Sequence, residues 1–185
     1  MEINYQDIHG VVVYENQIHK DSRGEFLEWY KSELVDAELE KQILFRQGNI
    51  SRSAKNVIRG MHLGVGEGKQ VKLVTCIQGR ILDVFLDLRQ NSPTYLKWGS
   101  VLLESMDGRS ILIPEGVAHG FAALDDTNTV CYLNSKTYDP DFEATVNPLD
   151  PKLGIKWPID GPVLSEKDRS ALSLEEAVKL GRIFS

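Results

Sequence analysis

An all-β, jelly-roll-like barrel with small peripheral helices is the fold this sequence predicts, and three observations predict it. From residue 10 to about residue 138 the chain is a succession of short apolar segments punctuated by Gly, Pro, Asn and Asp, the rhythm of sandwich and barrel strands. Side chains along a strand alternate between two faces, and the run Val71 to Ile77 sorts cleanly on that rule. Lys72, Val74 and Cys76 share one face; Val71, Leu73, Thr75 and Ile77 take the other. Helical signals are confined to two short stretches. No repeat, linker or low-complexity segment interrupts the 185 residues, so 1–185 is expected to form one domain.

In order, the expected strands are Val11–Tyr14, Glu25–Tyr30, Ile43–Gln47, Val57–Arg59, Val71–Ile77 and Ile81–Leu88, then Trp98–Leu103, Ser110–Ile113, Gly120–Ala123 and Thr129–Leu133. Between the second and third, Leu34, Val35 and Leu39 suit a short amphipathic helix within Lys31–Lys41. Near the C-terminus Ser173-Leu174-Glu175-Glu176 reads as a capping box, opening a helix that runs through Leu180 and stops at Gly181.

The formal net charge of −6 argues against nucleic acid or an anionic membrane as the main partner, while leaving room for a local cationic cluster that binds a small anion. No apolar run reaches membrane-spanning length, and the first residues lack the basic and apolar regions of a signal peptide, so a cytoplasmic protein is expected. Cys76 and Cys131 are isolated in apolar stretches and read as buried structural thiols of a reducing compartment.

Arg59-Gly60-Met61-His62 precedes the strand that carries Lys72, gathering a base and two cations where an anionic substrate can be held and a proton moved. If the Lys72 face lines the barrel interior, its ammonium needs an anionic partner; the alternative is that it snorkels to solvent at the barrel mouth. The glycine-dense Leu63 to Gly68 reads either as a loop that lets substrate approach or as a flexible hairpin connection. His119 lies in a Pro- and Gly-marked turn feeding a strand. Tyr132 sits on a strand as a core ring or a site phenol, and Asp168 is a surface charge or a carboxylate that orients a histidine. His62, Glu67 and His119 imitate a two-His, one-carboxylate metal set. Barrels that hold a metal this way place two histidines one residue apart, and here that position is Gly64, so no metal is expected. Phosphate-loop, dinucleotide and nucleophile-elbow motifs are absent.

Taken in order along nearly the whole chain, these residues resemble the dTDP-4-dehydrorhamnose 3,5-epimerases, the RmlC-like cupins. Asp21-Ser22-Arg23-Gly24-Glu25-Phe26, Phe45-Arg46-Gln47-Gly48-Asn49-Ile50-Ser51, Arg59-Gly60-Met61-His62 and Lys72-Leu73-Val74 are similar to family motifs. So are Asp87-Leu88-Arg89 with Ser92-Pro93-Thr94, Ile113 to Phe121, Gly154 to Pro158 and Leu164 to Asp168. The resemblance implies a cupin barrel and a cofactor-independent epimerase that inverts C3 and C5 of a dTDP-linked 4-keto-6-deoxy sugar. It assigns His62 as the base, Asp168 as its partner, Lys72 as the cation facing the C4 oxygen and Tyr132 as the acid on the opposite face. Arg23 and Arg59 are implied for the diphosphate, Gln47 and Asn49 for the base, Tyr138 for stacking, and His119, Glu28, Glu143 and Lys167 for further contacts. Asp83 matches a position near the site. It further implies a homodimer in which exchanged N-terminal strands bring Arg23 and Glu28 to the neighbour's site. Leu63 and Gly64 stand where the family commonly has an aromatic and Gln, and Gly48 replaces a carboxylate. Relatives that invert one centre only, or that use CDP, share much of the pattern, and a barrel that merely binds a nucleotide sugar would not need His62, Tyr132 and Asp168 together.

Overall fold

Two antiparallel sheets face one another, and the alternation of their strands decides what lies between them. The computed structural model describes residues 2–183. The strands are β1 (Glu2–Tyr5), β2 (Val12–Glu15), β3 (Ile18–Asp21), β4 (Gly24–Leu27), β5 (Gln47–Ser53), β6 (Ile58–Gly64) and β7 (Lys72–Gln78). They continue with β8 (Arg80–Asp87), β9 (Trp98–Glu104), β10 (Arg109–Ile113), β11 (Val117–Ala123), β12 (Asn128–Asn134) and β13 (Glu143–Thr145). Helices are α1 (Ser32–Leu39), α2 (Glu166–Arg169) and α3 (Leu174–Lys179). One sheet has the order β1-β2-β10-β7-β12-β5, the other β13-β6-β11-β8-β9, and β3 and β4 form a separate hairpin. The expected mainly β, jelly-roll architecture with short helices is the one observed.

The inner faces meet in one apolar cluster. Val13, Val74, Cys76, Ile111 and Val130 come from the first sheet, with Ile81, Phe85, Leu103, Val117 and Phe121 from the second. The outer face of the first sheet, with Val12, Tyr14, Val71, Leu73 and Leu112, is covered by Val35 of α1 together with Trp29, Tyr30, Ile43 and Phe45. The outer face of the second, with Met61, Leu63, Val84 and Leu86, is covered by the C-terminal segment through Leu153, Ala177 and Ile183. At about 25 cal/mol per Å² of apolar area removed from water, these three clusters supply the dominant stabilisation.

Several boundaries differ from the sequence expectation. Ile43–Phe45 is extended coil rather than strand: its apolar side chains pack on the outer cluster, and ladder pairing starts only at Gln47. Glu25–Tyr30 is strand only to Leu27. The capping box is formed, with Glu176 N–H donating to Ser173 Oγ (3.3 Å) and Ser173 N–H to Glu176 Oε2 (3.0 Å), and Gly181 follows at φ +65°. Both cysteines are free; Cys76 is buried, whereas Cys131 is only half-buried because it faces away from the inner cluster. Among the described residues no helix is long and apolar enough to cross a membrane.

Candidate active site

Arg59 and His62 are three residues apart, so unbroken strand alternation would send them to opposite faces. A β-bulge prevents this. Arg59 pairs with Phe121 and His62 with His119, so β6 spends two residues, Gly60 and Met61, where β11 spends only Gly120. Phe121 belongs to the inner cluster, and Arg59 and His62 therefore both face inward. The bulge requires glycine on both strands. A Cβ on Gly60, which has φ +139°, would lie 2.6 Å from Gly120 Cα, and one on Gly120 would lie 2.7 Å from the Arg59 carbonyl.

His62 meets Asp168 of α2, which packs beside β6: Nε2 and Oδ1 are 2.6 Å apart. Asp168 is 3% exposed, and Ser165 caps its helix, accepting from Asp168 N–H at 3.1 Å. Burial alone would raise the Asp168 carboxyl, but the hydrogen bond and charge of His62, with Ser165 and the Gly60 N–H, outweigh it and hold the group below its usual range. A carboxylate on Nε2 makes that nitrogen the N–H of neutral His62 and leaves Nδ1 as the basic atom. The alternative of a surface Asp168 is overturned by its burial.

Lys72 opens β7 on the inner face and is 7% exposed, so it does not snorkel. Its ammonium donates to the His62 carbonyl at 3.5 Å. Burial pulls its pKa down to about 8, the Asp83 charge opposes that fall, and Lys167 adds to it. Asp83 is fully buried on β8 and holds His119, with Oδ2 to Nε2 at 2.8 Å. Two His–carboxylate pairs therefore face each other across the β6–β11 ladder. Tyr132, half-buried on β12, lies opposite Val74 and Asn49; burial raises its phenol pKa, and Arg59 pulls the other way.

Around this centre lies a polar rim. Gln47 Nε2 donates to Asn49 Oδ1 at 2.8 Å, and Tyr138 N–H donates to Gln47 Oε1 at 2.6 Å. Lys167 lies over the Tyr138 ring, 5.8 Å from its centroid, and is ion-paired to Glu143. Arg59 is held by Ser53 Oγ (3.0 Å) and the Arg52 carbonyl (3.3 Å). The structure thus gathers His62, Lys72, Tyr132, His119, Asp83, Arg59, Gln47, Asn49 and Glu143 on neighbouring strands, with Tyr138 in the loop after β12 and Lys167 and Asp168 on α2. It does not gather Arg23 and Glu28, which stand on and beside the β3–β4 hairpin. Arg23 is paired with Asp21 at 2.6 Å, and Glu28 with Lys31 at 3.0 Å.

The glycine-dense stretch is no flexible connection. Val65 N–H donates to the Phe142 carbonyl at 2.9 Å, and a Cβ on Gly64 would lie 2.0 Å from the Gly68 carbonyl, so the turn folds back onto its own strand. Gly64 is required by that close approach. Ser53, which holds Arg59, carries no motif of its own, whereas the S-x-x-D spacing of Ser165 and Asp168 is a readable sign of a cap. Among the described residues no three His, Cys, Asp or Glu side chains assemble as a metal-ligand set.

Comparison with known proteins agrees with this geometry. The family model described as dTDP-4-dehydrorhamnose 3,5-epimerase matches residues 5–176. A dTDP-4-dehydrorhamnose 3,5-epimerase of Mycobacterium tuberculosis is 42% identical over 95% of this chain and 89% of its own length. A Streptomyces niveus protein named dTDP-4-dehydrorhamnose 3-epimerase is 40% identical over 98% of this chain and 87% of its own. Among solved structures, NovW, a 4-keto-6-deoxy sugar epimerase of Streptomyces spheroides, superposes with a TM-score of 0.94 at 40% identity, covering 98% of this chain and 91% of that one. Matched across almost its full length in both sequence and fold, the chain belongs to the dTDP-4-dehydrorhamnose 3,5-epimerase family of isomerases.

Proposed function

We propose that this chain inverts C3 and C5 of a dTDP-linked 4-keto-6-deoxy hexose without a cofactor, using His62 as base and Tyr132 as acid. The observation that carries the reading is the 2.6 Å His62–Asp168 pair on the same inner surface as buried Lys72. The C4 ketone acidifies the neighbouring C–H bonds. His62 Nδ1 takes the proton, the bonding pair moves onto the C4 oxygen, and the Lys72 ammonium stabilises the resulting enolate. Asp168 stabilises the imidazolium that forms. Tyr132, kept as a phenol by its raised pKa, delivers a proton to the opposite face of the carbon, and that inverts the centre. Arg59, with Arg23 from a second copy, suits the diphosphate. Gln47, Asn49 and Tyr138 suit the base, with Glu28, Glu143, Lys167 and His119 around the ligand.

The same reading makes the whole chain one domain and its working state a cytoplasmic homodimer. Support comes from the two free thiols and from the exposed hairpin, where Phe26 is 63% accessible beside Leu27 and Trp29. The test is deuterium uptake from D2O into dTDP-4-keto-6-deoxyglucose. Uptake at C3 and C5 is expected, and His62→Asn loses it while melting like the parent; undiminished uptake in that variant overturns the assignment. A C3-only epimerase is the second reading, favoured by the name of the Streptomyces niveus relative. Deuterium at C3 alone in the NMR spectrum selects it.

A further inference from the structure

Buried polar atoms in native proteins nearly always have a hydrogen-bond partner, and each exception asks what is missing. Among the described residues five buried side-chain oxygens have none: Ser51 Oγ, Gln70 Oε1, Asp83 Oδ1, Asn134 Oδ1 and Thr145 Oγ1. Three of them surround the proposed reaction centre. Asp83 holds His119, Thr145 lies directly opposite His62, and Asn134 lies directly opposite Lys72.

Asn134 is the least explained of the three. It is 6% exposed and closes β12, sharing the inner face with Val130 and Tyr132. Its cross-strand neighbours are Lys72 on one side and Gln47 on the other, so the row Gln47–Asn134–Lys72 runs from the rim toward the centre. Lys72 directs its ammonium to the His62 carbonyl, and Gln47 is engaged with Asn49 and the Tyr138 backbone. Neither satisfies the amide oxygen. We propose that Asn134 is a substrate-binding residue that hydrogen-bonds a ring hydroxyl of the hexose.

The chemistry sorts itself. The C4 carbonyl of the sugar is an acceptor only and is matched by Lys72. The hydroxyls at C2 and C3 are the donors that the orphaned amide oxygen lacks. A hydroxyl also accepts, so the match holds for either orientation of the amide. The proposal rests on the epimerase reading above and adds a residue to its sugar subsite.

The experiment compares the full-length protein with Asn134→Leu, and with Asn134→Ala as a smaller second variant. Deuterium uptake is followed on dTDP-4-keto-6-deoxyglucose and on its 2-deoxy and 3-deoxy analogues, reading C5 in each. The parent is expected to disfavour one analogue by about 5- to 10-fold in kcat/KM, the effect of one neutral hydrogen bond. In the variants that preference disappears, the full substrate loses a similar factor chiefly through KM, and the position of the lost hydroxyl names the contact. Melting of ligand-free Asn134→Leu is expected at or above the parent, because a buried orphan has been replaced by an apolar group of similar size. Unchanged discrimination in both variants overturns the proposal, including the case in which a partner subunit's side chain satisfies the amide. A parent that exchanges no deuterium into the full substrate overturns the epimerase reading itself, so the two failures are distinguishable.

Discussion

Replacing Asp168 with Asn removes one charge from a pair whose geometry is known. His62 Nε2 and Asp168 Oδ1 are 2.6 Å apart, with side-chain exposures of 27% and 4%. When His62 takes a proton, its charge centre lies ~4 Å from that of the carboxylate, and at an effective dielectric of ~20 the attraction is ~4 kcal/mol. Partial exposure of the imidazole reduces this to roughly 2–4 kcal/mol, which corresponds to a fall of about 30- to 1,000-fold in the proton-abstraction step. The amide still accepts from Gly60 N–H and from neutral His62, so the fold is retained. The assay is deuterium uptake under saturating substrate, beside thermal melting. A loss in kcat with little change in melting is expected. An Asp168→Asn enzyme within about 10-fold of the parent refutes the dyad.

Three further outcomes follow from the same geometry. Because burial sets the Lys72 pKa at about 8, the rate declines as pH rises through that value, and Asp83→Asn, which removes the opposing charge, moves the alkaline limb to lower pH; a pH profile of kcat checks both. Fully buried Asp87 accepts from Arg89 (2.8 Å), Ser92 (2.5 Å) and Thr94 (2.6 Å); burial alone would raise its pKa, yet these bonds lower it from 3.8 to about 2. A depressed carboxylate stabilises the fold above its unfolded pKa, so about 2 kcal/mol is lost as pH falls from about 4 toward 2, and acid titration of Asp87→Asn lacks that step. Gly60→Ala places a methyl 2.6 Å from Gly120 Cα at φ +139°; a loss of roughly 2–4 kcal/mol in denaturant melting is expected, with activity falling alongside.

Strands with an apolar stripe were legible because burial writes itself into a period of two. Val71–Ile77 and Ile81–Leu88 lie within a residue of their observed bounds for that reason. β5 hid from the same logic. Its inward positions, Gln47, Asn49 and Ser51, are polar because they face the site, and the apolar run before it packs as coil. β1 is exposed throughout, β3 nearly so, and β13 has three residues, too few for a pattern. Arg59, His62, Lys72, His119, Tyr132 and Asp168 stood out by residue type and setting, whereas their individual roles and the other binding residues were named through resemblance. The bulge that turns Arg59 and His62 to one face was invisible, since register belongs to the partner strand. Asn134 carried no sign at all, because its peculiarity is a bond that is missing.

His62, the proposed base, and Asp168 are 106 residues apart in sequence, and Asp168 rides on a four-residue helix outside both sheets. Stability is not uniform across a protein, and a short peripheral segment opens more cheaply than the strands it rests on. Opening α2 alone removes Asp168 from His62 and leaves every ladder intact. Activity is therefore expected to fall at a lower temperature than the barrel melts, and to return on cooling as a single turn recloses; deuterium uptake followed beside thermal melting checks this.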